Sequence, residues 1–355
     1  MTAAVCEKGP GGAGSQLIGV DLGGTAIKLG RFDTAGTLLG ELEVATPRPS
    51  VPGAVAVAIA DAIAQLDPEG RAGRVGIGLP GPTDATGRVE RLAINREGWR
   101  EVPLADWLEP ELERSVTLAN DANCAMVGEA WLGAAQGCAN AILLTLGTGV
   151  GGGIWLEGAL YTGPGGAAGE LGLISVDPQG PACRSGNRGS LEQYCAIAGL
   201  ARLSCLEPRE LCRRAEAGEA EALAVWERYG RWLGIGLSSL IYVLTPERVL
   251  LGGGLSAALP HFLPAAWREI EARVLPPSRE GLVIQRCALG NGAGRLGAAR
   301  LALDRLAPPG QSAEGLAGSG QAMAALAPAE LATSGGAARQ GSAADAALAD
   351  GQSSP

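Results

Sequence analysis

The chain of 355 residues contains one histidine, His261, two phenylalanines and an aromatic fraction of 4%. A lone histidine excludes multi-histidine metal sites and argues against a Ser-His-Asp triad. Basic residues are in deficit: 28 Lys plus Arg stand against 37 Asp plus Glu, a net charge of −9. Affinity for nucleic acid rests on an excess of Lys and Arg, so a general nucleic-acid binder is not expected. The eight cysteines include no CxxC pair. Their scatter reads as reduced thiols in a cytoplasmic protein. The longest uncharged stretch, 130–156, is broken by GTGVGGG, a poor composition for a membrane span. The opening residues hold no apolar run of the kind that directs secretion.

What the chain has in abundance is glycine, 56 residues, with 22 prolines. The 46% hydrophobic fraction is ample for a soluble globular protein of two or three domains. Residues 1–15 read as a disordered arm. Residues 307–355 hold sixteen alanines and no Ile, Val, Phe, Trp or Tyr, and read as a disordered Ala/Gly/Ser-rich tail. Between these ends strands alternate with helices, which predicts an α/β fold. Strands are expected at 17–20, 27–33, 38–44, 75–79 and 116–118, and helices at 55–66, 104–113 and 122–134. The layout then restarts. A strand at 141–146 ends in a glycine turn at 147–152, followed by a hairpin over 153–161. Helices near 219–244, a strand at 249–251 and a closing helix near 294–306 follow. Strand, glycine turn and hairpin thus occur twice, about 126 residues apart, and two such units facing each other would form a cleft.

Glycine turns after strands offer backbone amides that can approach a phosphate closely. Asp21-Leu22-Gly23-Gly24-Thr25 adds a carboxylate suited to magnesium and its water shell. The second turn adds Thr148, and a third, Gly252-Gly253-Gly254, suits a nucleotide's base and ribose. None matches a P-loop, so the phosphates are expected between two walls.

These residues resemble the ROK family of sugar kinases. DLGGT at 21–25, Asn120-Asp121, LGTGVGGG at 146–153 and Gly169-Glu170-Leu171-Gly172 carry the likeness. So do GGGLS at 252–256 and GNGAGRLGAA at 290–299. The likeness spans about 17–305, and within the family it is nearest to the glucokinases. It implies an actin-like (ribonuclease H-like) fold: a small lobe, 16–121, on which 292–306 packs, and a large lobe, 122–291. It implies ATP-dependent phosphorylation of a hexose, with ATP and magnesium as cofactors and a homodimer. Asp121 would be the general base. Asn95, Asn120, Asp121, Glu170, Glu192 and Gly81 would hold the sugar. Asp21, Gly23, Gly24, Thr25, Lys28, Gly147, Thr148, Gly149, Gly151, Gly253 and Gly254 would hold ATP, with Asp21 orienting magnesium through water.

Blander roles stand beside these: a helix cap for Asp121, a solvated strand lysine for Lys28, a turn residue for Asn95, and packing for Trp99. The sequence departs from the family where its zinc histidine and two of its three zinc cysteines should be. Leu173 replaces the histidine and only Cys183 survives, so no zinc is expected and a loop held by Arg, Asn and Ser is. The same change leaves the sugar open among glucose, fructose, mannose and N-acetylmannosamine, and the donor open between ATP and polyphosphate. A sugar sensor without turnover is the rival function; a repressor is disfavoured, because the first phosphate turn begins at residue 21.

Overall fold

The computed structural model describes residues 15–92 and 97–304. The expected arm (to residue 14), the tail and Asn95 lie outside the described residues. Two five-stranded sheets form the framework. The first is built from β1 (Gln16–Leu22), β2 (Ala26–Phe32), β3 (Leu38–Ala45), β4 (Ala72–Leu79) and, after a short β5–β6 ribbon (Glu90–Leu92, Arg100–Val102), β7 (Ser115–Asn120). The second comprises β8 (Ala141–Leu146), β9 (Val150–Leu156), β10 (Ala159–Leu160), β11 (Arg248–Gly252) and β12 (Val283–Arg286).

The strand orders are β3-β2-β1-β4-β7 and β10-β9-β8-β11-β12. In both, the first three strands in space run antiparallel and the last two join in parallel. The duplicated layout read from the sequence is therefore a duplicated topology. The first sheet packs its core against α1 (Pro52–Leu66) and α2 (Leu104–Leu112) through Ile18, Val20, Ile59 and Leu108. Trp99 is buried there, and its indole donates to the Ser50 carbonyl at 2.7 Å, which is a packing role. The second sheet carries α4 (Leu191–Cys195), α5 (Ile197–Ala201), α6 (Pro208–Glu216), α7 (Ala220–Leu244) and α8 (Leu259–Arg273). Their core gathers Trp226, Tyr229 and Phe262 on the apolar faces of α7 and α8.

Two helices cross between the sheets. α3 (Asp121–Leu132) follows the last strand of the first sheet but lies on the second, with Met126 against Leu143 and Leu250. α9 (Ala293–Asp304) follows the last strand of the second sheet but lies on the first, with Leu296 and Ala299 against Leu17 and Phe32. No side chain could fit at the tightest points. A methyl group on Gly297 would overlap the Cys124 carbonyl of α3, and one on Gly128 the Ala293 carbonyl of α9. Gly19 and Gly76 bring the first sheet equally close to the α9 backbone. Buried Glu129 completes the seam: its carboxylate accepts the amides of Ala134, Ala288 and Leu289 at 2.7–3.0 Å.

Helix α1 and strand β4 each begin three residues before the expected 55 and 75, and two differences bear on the cleft. The second glycine turn was expected to run through Gly152, yet the ladder resumes at Val150. Gly151 and Gly153 belong to β9, where their lack of a side chain lets α3 lie on the strand. Helix α3 begins one residue early, at Asp121, because Asn120 and not Asp121 is its N-cap.

Candidate functional site

In the first sheet, parallel pairing aligns Asp21 with Gly78 and Leu79 with Asn120, so the carboxyl ends of β1, β4 and β7 meet at one edge. In doubly wound sheets such an edge is where ligands bind. The β1–β2 turn is anchored from behind: the Thr46 hydroxyl donates to the Gly23 carbonyl at 2.9 Å, and its amide to Thr25 at 3.0 Å. Gly24 and Thr25 are left exposed. Asp21 pairs with Lys28 across the hairpin. Burial lifts the Asp21 carboxyl above the usual range, and the charges of Lys28 and Arg295 pull it partly back. Gly294, in the first turn of α9, lies against this carboxyl. A half-buried carboxylate with incomplete compensation suits a hydrated divalent cation.

The Asn120 amide oxygen accepts the amides of Ala122 and Asn123 at 2.9 and 3.1 Å. Its NH₂ group donates to the Gly81 carbonyl at 3.2 Å, with a second N–H remaining. Gly81 has φ +106°, and a side chain there would overlap Leu92. Asn120 and Gly81 are therefore brought together, and Asn120 fixes where α3 starts. Asp121 follows at the first helical position, half-buried, with one oxygen accepting the Ala122 amide at 2.7 Å.

In the second sheet, Gly147, Thr148 and Gly149 turn the chain between β8 and β9. The Gly147 amide bonds within the turn, to Gly149 at 3.0 Å, and its carbonyl accepts from Ile197 at 2.8 Å. Its amide is thus committed, and the tip residues Thr148 and Gly149 are better placed to meet a phosphate. Gly151 donates to the Thr145 hydroxyl at 3.2 Å. Gly253, φ +76°, presses its backbone on Leu146 and so sets the third turn beside the second. Gly254 has open space around it.

The two halves meet at Ala122, which touches Gly151 and Gly153 of β9. The first turn of α3, which Asp121 opens, is thereby set against β9 just past the second turn. Glu192, at the start of α4, accepts the Val150 amide at 3.0 Å and lies against Gly149. Glu170 follows Gly169, which packs on Gly152 and the Asn123 side chain. The Glu170 side chain keeps solvent access, but partial burial and then the charge of Glu192 raise its carboxyl above the usual range. Glu170 and Glu192 thus lie within electrostatic reach of each other beside the second turn, two carboxylates able to fix several hydroxyls. The loop before α4 is tied by Asn187, whose NH₂ donates to Leu173 at 2.7 Å and whose oxygen accepts from Ser175 at 2.9 Å. Cys183 is buried there with the Ser185 hydroxyl at 3.2 Å.

Sequence reasoning assigned no role to Asn123, Thr145 or Arg295. Asn123 is buried against the Glu170 loop, and Arg295 of α9, which donates to the Leu29 carbonyl and pairs with Glu41, lies near enough for its charge to lower the Asp21 carboxyl. Arg295 stands inside a quoted motif, GNGAGRLGAA, but Asp21 lies more than 270 positions away.

Residues 17–305 match the model of the ROK family. Among curated proteins, the glucokinase of Halalkalibacterium halodurans is 35% identical over 306 residues, 79% of this chain and 92% of that one. The N-acetyl-D-glucosamine kinase of Shigella flexneri is 35% identical over 256 residues, 67% of this chain and 84% of that one. Among solved structures, a ROK family glucokinase from Streptomyces griseus, in complex with glucose and AMPPNP, superposes with a TM-score of 0.72 at 33% identity. That match covers 81% of this chain and 99% of the other.

Proposed function

The chain belongs to the ROK family, and from that premise we propose that it transfers the γ-phosphoryl group of ATP to the 6-hydroxyl of glucose. The observation that carries this reading is the position of Asp121: at the mouth of the first sheet, yet coupled through Ala122 to the phosphate-sized turn of the second. A carboxylate there accepts the proton of the attacking hydroxyl, a contribution of about 10²–10⁴-fold. Asn120 holds it in place. Glu170, Glu192 and the remaining Asn120 N–H orient the sugar, and Gly81 shapes the wall behind it. The tip amides at 148–149 and the Thr148 hydroxyl grip the donor's terminal phosphates. Gly23, Gly24 and Thr25 approach from the opposite sheet, and the third turn at Gly253–Gly254 takes the base and ribose.

The residues around Asp21 fit magnesium, which Asp21 would hold through its water shell. Such an ion neutralises charge on the β- and γ-phosphates. We read residues 16–121 with 292–306 as one lobe and 122–291 as the other, in a cytoplasmic homodimer. A second sugar is favoured by one finding: the likeness to the N-acetyl-D-glucosamine kinase equals that to the glucokinase in identity. Asp121 would serve either substrate.

The test is a coupled assay crossing glucose, N-acetylglucosamine, mannose, fructose and N-acetylmannosamine with ATP and polyphosphate. Glucose with ATP is expected to give the highest kcat/KM. Sugar binding without turnover would make the protein a sensor. Asp121→Asn should keep the melting temperature and sugar affinity and lower kcat at least about 100-fold. Near-normal turnover in that variant removes the base assignment.

A further inference from the structure

Cys212 and Glu216 stand one turn apart on α6, so their side chains share a face. His261, in the first turn of α8, brings its ring to them. The Cys212 Sγ, a Glu216 carboxylate oxygen and an imidazole nitrogen all lie within 4.8 Å of one another. Among the described residues this is the one group of three His, Cys, Asp or Glu side chains so arranged, and it uses the only histidine of the chain. The Cys212 thiol points at Glu216, with Sγ 3.6 Å from Oε1. Arg213 pairs with Glu210, and Arg214 with Glu210 and Glu219, while Arg209 lines the same cavity as Cys212 and Glu216. Glu216 forms no ion pair among the described residues.

We propose that Cys212, Glu216 and His261 form a three-ligand site for a thiophilic divalent cation, zinc foremost. Thiolate, imidazole and carboxylate are the donors zinc takes, at about 2.0–2.3 Å, in tetrahedral order. Closing the three donors from 4.8 Å to the roughly 3.3–3.8 Å such bonds require needs only side-chain rotation, and Glu216 is exposed and able to turn. Thiolate and carboxylate together balance the two charges of the ion, and the thiol proton leaves to solvent on binding. Beside Cys212 and Glu216 lies a cavity of about 200 Å³, lined also by Arg209, Arg213, Trp226, Gly254 and Leu255. Because Gly254 belongs to the third glycine turn, a bound ion would compete with the nucleotide. That clause rests on the reading above; the site itself does not.

Cobalt(II) titration of the full chain under a non-thiol reductant tests it. A thiolate-to-cobalt charge-transfer band saturating at one equivalent, and displaced by zinc, is expected. Cys212→Ser should abolish the band and His261→Ala should weaken binding at least about 100-fold, with thermal melts confirming that both variants fold. Cys205→Ser, at an exposed cysteine, should leave the band intact. No thiolate band, a band that survives Cys212→Ser, or one removed by Cys205→Ser overturns the site. Zinc should also raise the KM for ATP in the parent chain and not in His261→Ala. An unchanged KM with binding intact overturns the competition alone and leaves the metal site standing.

Discussion

The turn between β1 and β2 and the turn between β8 and β9 hold the same place in two sheets of the same order, but only the first carries a charge. Asp21 sits at the end of β1, half-buried, facing Lys28 and Arg295. At the end of β8 stand Leu146 and Gly147, and the one polar side chain of the tip is Thr148. The junctions of strand and helix repeat this asymmetry. The last strand of the first sheet runs directly into Asn120-Asp121 and α3, whereas the last strand of the second reaches α9 through neutral residues, 287–292. At these two turns one half supplies a carboxylate and the other a hydroxyl and backbone amides. The lesson is that a duplicated frame fixes where groups can be placed and leaves their chemistry to individual residues.

The comparison breaks most completely at the crossing of α3 and α9, which both halves share. Gly297→Val places a branched side chain on the Cys124 carbonyl and should cost at least about 4 kcal/mol, read as loss of soluble folded protein. A variant of near-parental melting temperature would show that the helices can part there. The division of labour is sharpened by Asp21→Asn against Thr148→Ala. A group facing ionised partners is worth about 1.5–3 kcal/mol and a neutral hydrogen bond about 0.5–1.5 kcal/mol. Turnover should therefore fall about 10–150-fold in the first variant and about 2–12-fold in the second. Equal losses would erase the distinction between the turns.

The smallest effect concerns stability. Burial raises the Asp21 carboxyl in the folded protein, so the folded state holds this proton to higher pH than the unfolded chain does. Stability from this group is full below the ordinary aspartate range and is lost as pH rises through the folded value. Asp21→Asn removes that loss. The variant should match the parent at acid pH and exceed it at neutral pH, in denaturant titrations run across pH. A gap that opens towards acid instead would mean the carboxylate is stabilised in place.

Much of this arrangement was legible in the chain. Glycine turns after apolar runs marked the ends of β1, β8 and β11, and their repetition gave the duplicated frame. The Asn120-Asp121 pair was legible as the place where a strand meets a helix, which is where β7 ends and α3 begins. Other features were not, for a common reason. Gly128 and Gly297 look like ordinary helical glycines until the helices meet. Glu129 reads as a surface residue of α3, yet it caps amides near residue 288. Glu192 was expected at the sugar, and its bond to the Val150 amide spans 42 positions. Each depends on a partner remote in sequence, which local pattern does not encode. The end of the second turn was misjudged because glycines inside β9 resemble turn glycines, although there they serve a helix lying on the strand.

The exchange of α3 and α9 has a consequence for biosynthesis. The first sheet is complete once residue 120 has left the ribosome, but the helix that roofs Leu17 and Phe32 begins only at Ala293. At about 5–20 residues per second, that face waits roughly 10–35 s for its cover. The nascent amino-terminal half must spend that interval with apolar surface exposed, and α9 is the helix that ends it.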